Sequence, residues 1–217
     1  HRRVEALTAD FGLAAVLLRR VSTYSGGFRQ RLHVAIGMVH EPRLILLDEP
    51  TSELDPDACA FLWEVMRAYA DRGHAVVVVT HDLEDVTRQC DRVALLSRGK
   101  VRLLGTPQDI IAQHGQATVE VTLDRPPDEW EPVSRRLASI AGVTHVELRN
   151  RQIVLRLDED PDAEAAVSAV LRETQVGVSA YRQERPNLSS AYFHVTGQDM
   201  LEDPGNQPTP RRGGKGL

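Results

Sequence analysis

Two short apolar runs, Leu44 to Leu47 in RLILLDEP and Val76 to Val79 in HAVVVVT, flank one long helical pattern. An aliphatic run without polar alternation suits a strand buried on both faces of a parallel sheet. The segment between them, DPDACAFLWEVMRAYADRG, opens on Pro56 and ends at Gly73. Its Phe61, Leu62, Val65, Met66 and Tyr69 share one helical face. Strand, helix and parallel strand in that order predict an α/β fold with a mostly parallel sheet. Other elements extend the pattern. Residues 4–18 read as a helix with Val4, Leu7, Phe11 and Leu18 on one side. A second helix starts near Gly26 and ends near His40, before Pro42, with Phe28, Leu32, Ala35, Ile36 and Val39 on its face. DLEDVTRQC is a short helix, and RVALLSRGKVRLLG is two strands about a turn at Arg98-Gly99. Thr106-Pro107 caps a further helix.

The character changes at Ala117. TVEVTL alternates as a half-buried strand, and residues 129–141 are helical. VTHVELR and QIVLRL are strands about Asn150-Arg151. Residues 161–174 form a helix from Pro161, with Ala166, Val167, Val170 and Leu171 inward, and VGVSAYR is a last strand. The order β-α-β-β-α-β predicts a small α+β, ferredoxin-like domain. NLSSAYFHVTG follows as a helix. The expected division is therefore 1–116, 117–197, and a tail over 198–217 whose Pro, Gly and basic residues lack periodicity and predict disorder.

Composition narrows the function. The chain has 217 residues and a net charge of -5, so no basic field invites nucleic acid. Cys59 and Cys90 match no metal spacing and read as reduced thiols. The six histidines His33, His40, His74, His114, His145 and His194 also lack ligand spacing and are expected on the surface. No apolar run approaches the length of a membrane span, and no signal peptide is expected. The chain starts at His1 rather than Met, inside a helical pattern, and is expected to be a fragment lacking its N-terminal part.

Four short motifs carry the chemistry. Tyr24-Ser25-Gly26-Gly27-Phe28 places two glycines at a helix entrance, where bare backbone is entropically unfavourable unless something uses it. Free N–H groups at a helix N-terminus attract an anion. In isolation Ser25 could equally be an ordinary helix cap. The chain carries no phosphate loop of the G-x-x-x-x-G-K-[ST] kind, so the anion would have to be brought by something else. Asp48-Glu49 puts two adjacent carboxylates at a strand end, a pairing kept where cations or protons are handled. Ser52-Glu53-Leu54-Asp55 follows, and Thr80-His81-Asp82 closes the second strand.

In this order the motifs resemble the C-terminal half of the ATP-binding cassette of ABC transporters, a P-loop NTPase fold, over residues 1 to about 113. RRVSTYSGGFRQRL is most similar to the daunorubicin-resistance group of bacterial exporters, and residues 117–197 are similar to that group's accessory domain. The resemblance implies ATP hydrolysis with Mg²⁺ by a pair of cassettes. Ser25, Gly26 and Gly27 would hold the γ-phosphate of a nucleotide bound by the facing subunit. Asp48 would hold Mg²⁺ through water, and Glu49 would orient and deprotonate the attacking water. His81 would contact the γ-phosphate, and Asp55 would couple the two sites. Two positions of the signature depart from the family pattern: Tyr24 stands for a Leu and Phe28 for a Gln, so Phe28 is expected only to pack. Glu53 replaces a small residue. The implied partners are a second cassette subunit, giving a homodimer, and a separate transmembrane permease, with no nucleic acid. The implied location is the cytoplasmic face of the plasma membrane, and the implied activity is export of drug-type cargo. The fragment alone is expected to be inactive. Two other readings remain at this point: an ABC ATPase outside transport, or a regulatory module built on 117–197.

Overall fold

In the computed structural model, residues 2–52, 54–125, 129–158, 162–174 and 176–197 are described. The expectations on Glu53, Pro161 and the 198–217 tail fall outside them. Two compact units divide the chain between Gln89 and Cys90.

The first unit opens with α1 (Arg2–Asp10). The helix expected to reach residue 18 stops here, because Gly12 adopts φ 62 and closes the end. Its N–H donates to Ala9 O at 3.0 Å, and the Leu13 N–H donates to Thr8 O at 2.9 Å. These are the two bonds of a Schellman cap, which satisfies carbonyls the helix would otherwise strand. After a short 3-10 turn at Val21–Thr23 comes α2 (Gly26–Met38). Val34, Ala35 and Met38 are its buried residues. Ile36, expected inward, is 58% exposed. The buried stripe is rotated by about one residue from the expected face.

Then follow β1 (Leu44–Asp48), α3 (Pro56–Asp71), β2 (Ala75–Val79) and α4 (Leu83–Gln89). The strands β1 and β2 pair in parallel, from Leu44 opposite Ala75 to Asp48 opposite Val79. The crossover α3 buries Ala58, Leu62, Trp63, Met66 and Tyr69. Tyr69 OH donates to Pro42 O at 2.8 Å, while its ring stacks on His74 at 4.1 Å, so both strand entrances are tied to the end of α3. Neither apolar strand is buried on both faces. Ile45 is 6% exposed, whereas Leu46 is 69% and Val79 59% exposed. Among the described residues of this unit, side chains cover only the face that carries Ile45, Leu47, Val76 and Val78.

The second unit begins with an antiparallel hairpin, β3 (Val93–Ser97) and β4 (Lys100–Gly105). Arg98 at φ 51 and Gly99 at φ 71 form its turn, in the conformation that two-residue hairpins prefer. Parallel pairing is thus confined to β1 and β2 among the described strands, and the described strands of residues 1–116 pair one way in β1 and β2 and the other in β3 and β4 rather than forming a mostly parallel sheet. Next is α5 (Pro107–His114), capped by Thr106, whose Oγ1 accepts from Asp109 N at 3.1 Å. These three elements fall in the second unit rather than with β1 and β2.

The remaining elements are β5 (Ala117–Leu123), α6 (Trp130–Ala138), β6 (Val143–Arg149), β7 (Gln152–Leu157), α7 (Ala163–Glu173) and β8 (Val178–Glu184). The strands form one antiparallel sheet in the order β6-β7-β5-β8. Val119, Val121, Leu123, Ile153 and Leu155 of the sheet pack with Val133 and Leu137 of α6 and Val167 and Leu171 of α7. On α7 it is Ala163, not Ala166, that is fully inward. Strand β5 is covered on both faces rather than half-buried, since Thr118 on the reverse side is also buried. That side receives α8 (Leu188–Thr196), where Phe193 lies 3.7 Å from the Arg156 guanidinium. Asn187 and Ser190 close α8 with a reciprocal capping box, and Gly197 at φ 69 ends it. His74, His114 and His145 are half-buried, not on the surface. His145 packs against the Phe193 ring at 4.7 Å, and apolar neighbours explain its burial better than a ligand role.

Candidate nucleotide-hydrolysis site

The parallel pairing of β1 and β2 brings their C-terminal ends side by side. Asp48 is the last residue of β1 and is exposed. Glu49 follows in the left-handed region, at φ 46. For a residue with a Cβ this conformation costs roughly 1–2 kcal/mol, so neighbouring bonds must impose it. Three do. The Glu49 N–H donates to Val79 O at 2.8 Å, and Glu49 O accepts from Ser52 N at 3.3 Å and Ser52 Oγ at 3.0 Å. The twist swings the Glu49 side chain toward the end of β2.

There it meets His81. His81 Nδ1 lies 2.8 Å from Glu49 Oε1. A carboxylate only accepts, so Nδ1 carries the hydrogen. Thr80 Oγ1 donates to Glu49 Oε2 at 3.4 Å and also accepts from Asp82 N at 3.1 Å. Asp82 Oδ1 in turn accepts from Asp85 N at 3.0 Å, in the first turn of α4. The side chains of Glu49 and His81 remain 30% and 53% exposed, accessible to water and to a ligand. Both oxygens of one carboxylate are thus held by the end of the neighbouring strand, an arrangement able to position a water and accept its proton.

Asp48 stands beside this pair, and among the described residues no group of three His, Cys, Asp or Glu could hold a metal by itself. One exposed carboxylate suits Mg²⁺, which keeps several waters and takes its other oxygens from a phosphate substrate.

Ser25, Gly26 and Gly27 lie elsewhere in the unit. Ser25 is the N-cap of α2, its Oγ accepting from Phe28 N at 3.4 Å. Gly26 and Gly27 open the helix, and among the described residues nothing accepts from their N–H groups. A Cβ on Gly26 would meet nothing within 4 Å. A Cβ on Gly27 would lie 3.5 Å from Ala58 Cβ, so the N-termini of α2 and α3 are neighbours. Asp55 caps α3, its Oδ1 accepting from Ala58 N at 2.9 Å. Two helix N-termini, each favouring negative charge, therefore lie together. No hydrogen bond or ion pair among the described residues links Ser25, Gly26, Gly27 or Asp55 to Glu49 or His81. Phe28 makes an edge contact with Tyr24 at 6.4 Å and receives the Arg31 guanidinium 5.6 Å from its centroid, a packing position.

Thr80 and Ser52 also serve Glu49, beyond the residues expected from the sequence. Thr80 bonds the far carboxylate oxygen, and its place directly before His81 was the available signal. The family model described as ABC transporter matches residues 1–52. Over 197 residues the chain is 30% identical to the daunorubicin resistance ATP-binding protein DrrA3 of Streptomyces coeruleorubidus, covering 91% of this chain and 61% of that protein. It is 31% identical over 198 residues to the daunorubicin/doxorubicin resistance ATP-binding protein DrrA of Streptomyces peucetius, with 91% and 59% covered. It is 41% identical over 188 residues to the Nod factor export ATP-binding protein I of Mesorhizobium japonicum, with 84% and 51% covered. The chain therefore spans at most 61% of the length of these relatives. Motif order, the paired strand ends and the relatives agree: the chain is similar to the ATP-binding proteins of ABC transporters, among them those of the daunorubicin-resistance type.

Proposed function

We propose that this chain supplies the hydrolytic and signature elements of an ATPase subunit that drives an ABC exporter. The observation that carries the reading is the 2.8 Å contact between His81 and Glu49 at the joined ends of β1 and β2. In this reading Glu49 is the base toward the attacking water, His81 holds Glu49 in place and turns toward the γ-phosphate, and Asp48 holds Mg²⁺ through water. The metal supplies charge neutralisation on the phosphate oxygens. Gly26 and Gly27, with two unoccupied N–H groups at a helix N-terminus, hold the γ-phosphate of the nucleotide carried by a second cassette. Asp55, at the adjoining helix end, couples the two sites. ATP closes the homodimer and hydrolysis reopens it. A separate permease forms the path of the cargo. Among the described residues no helix is long and apolar enough to cross a membrane, which suits a subunit docked on the cytoplasmic face.

The phosphate loop that binds a cassette's own nucleotide is not in this sequence. This chain alone is therefore expected to give no saturable heat with Mg-ATP in calorimetry, and a micromolar dissociation constant would overturn the assignment of its residues to a partner's nucleotide. The full-length protein is expected to release phosphate with Mg²⁺ and to dimerise with ATP in sedimentation. Failure of both sinks the reading.

Residues 117–197 are proposed as a ferredoxin-like accessory domain. The strand order β6-β7-β5-β8 with a helix after each of β5 and β7 supports this. Among its described residues no group of three His, Cys, Asp or Glu stands together to hold a metal ion, and its deletion from the full-length protein is expected to spare ATP binding and change dimer lifetime. Loss of nucleotide binding in a deletion variant that is still folded would refute that division of labour.

A further inference from the structure

The Glu49–His81 pair stands on two strand ends, and the order of those ends depends on what holds them. Helix α3 reaches the one that carries His81. Cys59 and Trp63 lie one turn apart on the same stripe of α3. Trp63, 5% exposed, donates its indole N–H to Asp85 Oδ2 at 2.8 Å, and Cys59 Sγ donates to the same oxygen at 3.5 Å. Arg67, one turn further, bonds Gln89 O at the other end of α4. Burial first, and then the Asp85 carboxylate, push the Cys59 thiol up from its ordinary value, so it stays a protonated donor at neutral pH.

We propose that Asp85 is a positioning residue for hydrolysis: bonded to Trp63 and Cys59, it fixes the first turn of α4, and through Asp82 and Thr80 it holds His81 against Glu49. The chain of contacts is continuous. Asp85 N–H donates to Asp82 Oδ1 at 3.0 Å, Asp82 N–H donates to Thr80 Oγ1 at 3.1 Å, and Thr80 donates to Glu49 Oε2 at 3.4 Å. On the other strand, Ser52, three residues beyond Glu49, donates its hydroxyl to Glu49 O at 3.0 Å. The stripe of α3 thereby registers the half of the pair that carries His81. None of Asp85, Trp63 and Cys59 touches Glu49 or His81, so each acts through them. The proposal rests on the hydrolytic reading of that pair.

The test is single-turnover and steady-state hydrolysis in the full-length protein. Asp85→Ala removes the acceptor and is expected to lower kcat about tenfold to a hundredfold, the scale of a small misplacement of a reacting group. KM for ATP should stay within about twofold, since the nucleotide is not touched. Asp85→Asn keeps an oxygen that accepts from Trp63 and should restore most of the rate. In a His81→Ala background Asp85→Ala should cost almost nothing more, because groups acting as a unit are not additive. Trp63→Phe keeps a buried aromatic ring but removes the donor together with the five-membered ring. It should lower kcat in the same direction with an unchanged circular dichroism spectrum, and it decides the matter if Asp85→Ala does not fold. The proposal is overturned if Asp85→Ala or, failing that, Trp63→Phe keeps parental kcat. It is also overturned if Asn is as damaging as Ala, or if the Asp85→Ala cost recurs in full without His81. Glu49→Gln is measured in parallel. If it turns over normally, the reading of the pair falls and the proposal with it. If it is dead while Asp85→Ala is normal, only the positioning role falls.

Discussion

Glu49→Gln in the full-length protein is expected to abolish turnover while leaving ATP bound. The substitution keeps the shape of the side chain and its acceptor oxygen. That oxygen can still take the His81 Nδ1 hydrogen, now made by Glu49 Oε1 at 2.8 Å. The backbone bonds to Val79 and Ser52 that impose φ 46 do not involve the carboxyl group. The variant should therefore fold with its local geometry intact. What it loses is the group able to take a proton from water. Removal of a general base costs about 10²–10⁴ in rate. Phosphate release under saturating Mg-ATP should fall by that factor, and the nucleotide-closed dimer should accumulate in sedimentation. His81→Ala removes the partner rather than the base, and should lower turnover as well, with Glu49 held only by Thr80. If Glu49→Gln releases phosphate at a near-normal rate, Glu49 is not the base.

Much of this site was legible because its residues are local in sequence. Asp48 and Glu49 end one apolar run and His81 follows another, and parallel pairing of two such runs with a helix between them brings their ends together. The caps at Ser25 and Thr106 were legible for the same reason, each preceding a helix by one residue, whereas the capping of α3 by Asp55 was not read from the sequence. What escaped is tertiary. The end of α1 at Asp10 depends on Gly12 taking a left-handed conformation inside a pattern that continues apolar to Leu18. The exposed face of β1 and β2 cannot be read from an aliphatic run, because the run says that a residue is apolar and not what covers it. Trp63 and Asp85 lie on different helices, and no periodicity joins an indole to a carboxylate across a crossover. In the second unit the element order was legible, whereas the burial of both faces of β5 was not, since it depends on α8 arriving from far along the chain.

Gly26→Asp is expected to fold, to bind ATP, and to fail only when two subunits must close. The space around a Cβ at Gly26 is open, with nothing within 4 Å, so the new side chain meets no clash. Gly26 is the first residue of α2, and a carboxylate there is favoured by the helix dipole. Thermal stability should therefore hold or rise slightly. Gly26→Ala, which adds a methyl without charge, serves as the control for bulk. A γ-phosphate brought against the two free N–H groups would meet the added negative charge about 4 Å away, at roughly 4 kcal/mol for an effective dielectric of 20. That is enough to lower closed-dimer occupancy by about a thousandfold. ATP should still bind the variant's own phosphate loop, which Gly26 does not serve. Dimerisation and hydrolysis should be lost. Mixing then separates the possibilities. A partner with an intact signature and a disabled phosphate loop presents its own Gly26 and Gly27 to the variant's nucleotide, so one complete site can form. Part of the hydrolysis should return in the mixture, up to one site per dimer. If the mixture is as inactive as either protein alone, or if Gly26→Asp prevents ATP binding by the monomer, then this helix entrance does not act on a partner's nucleotide.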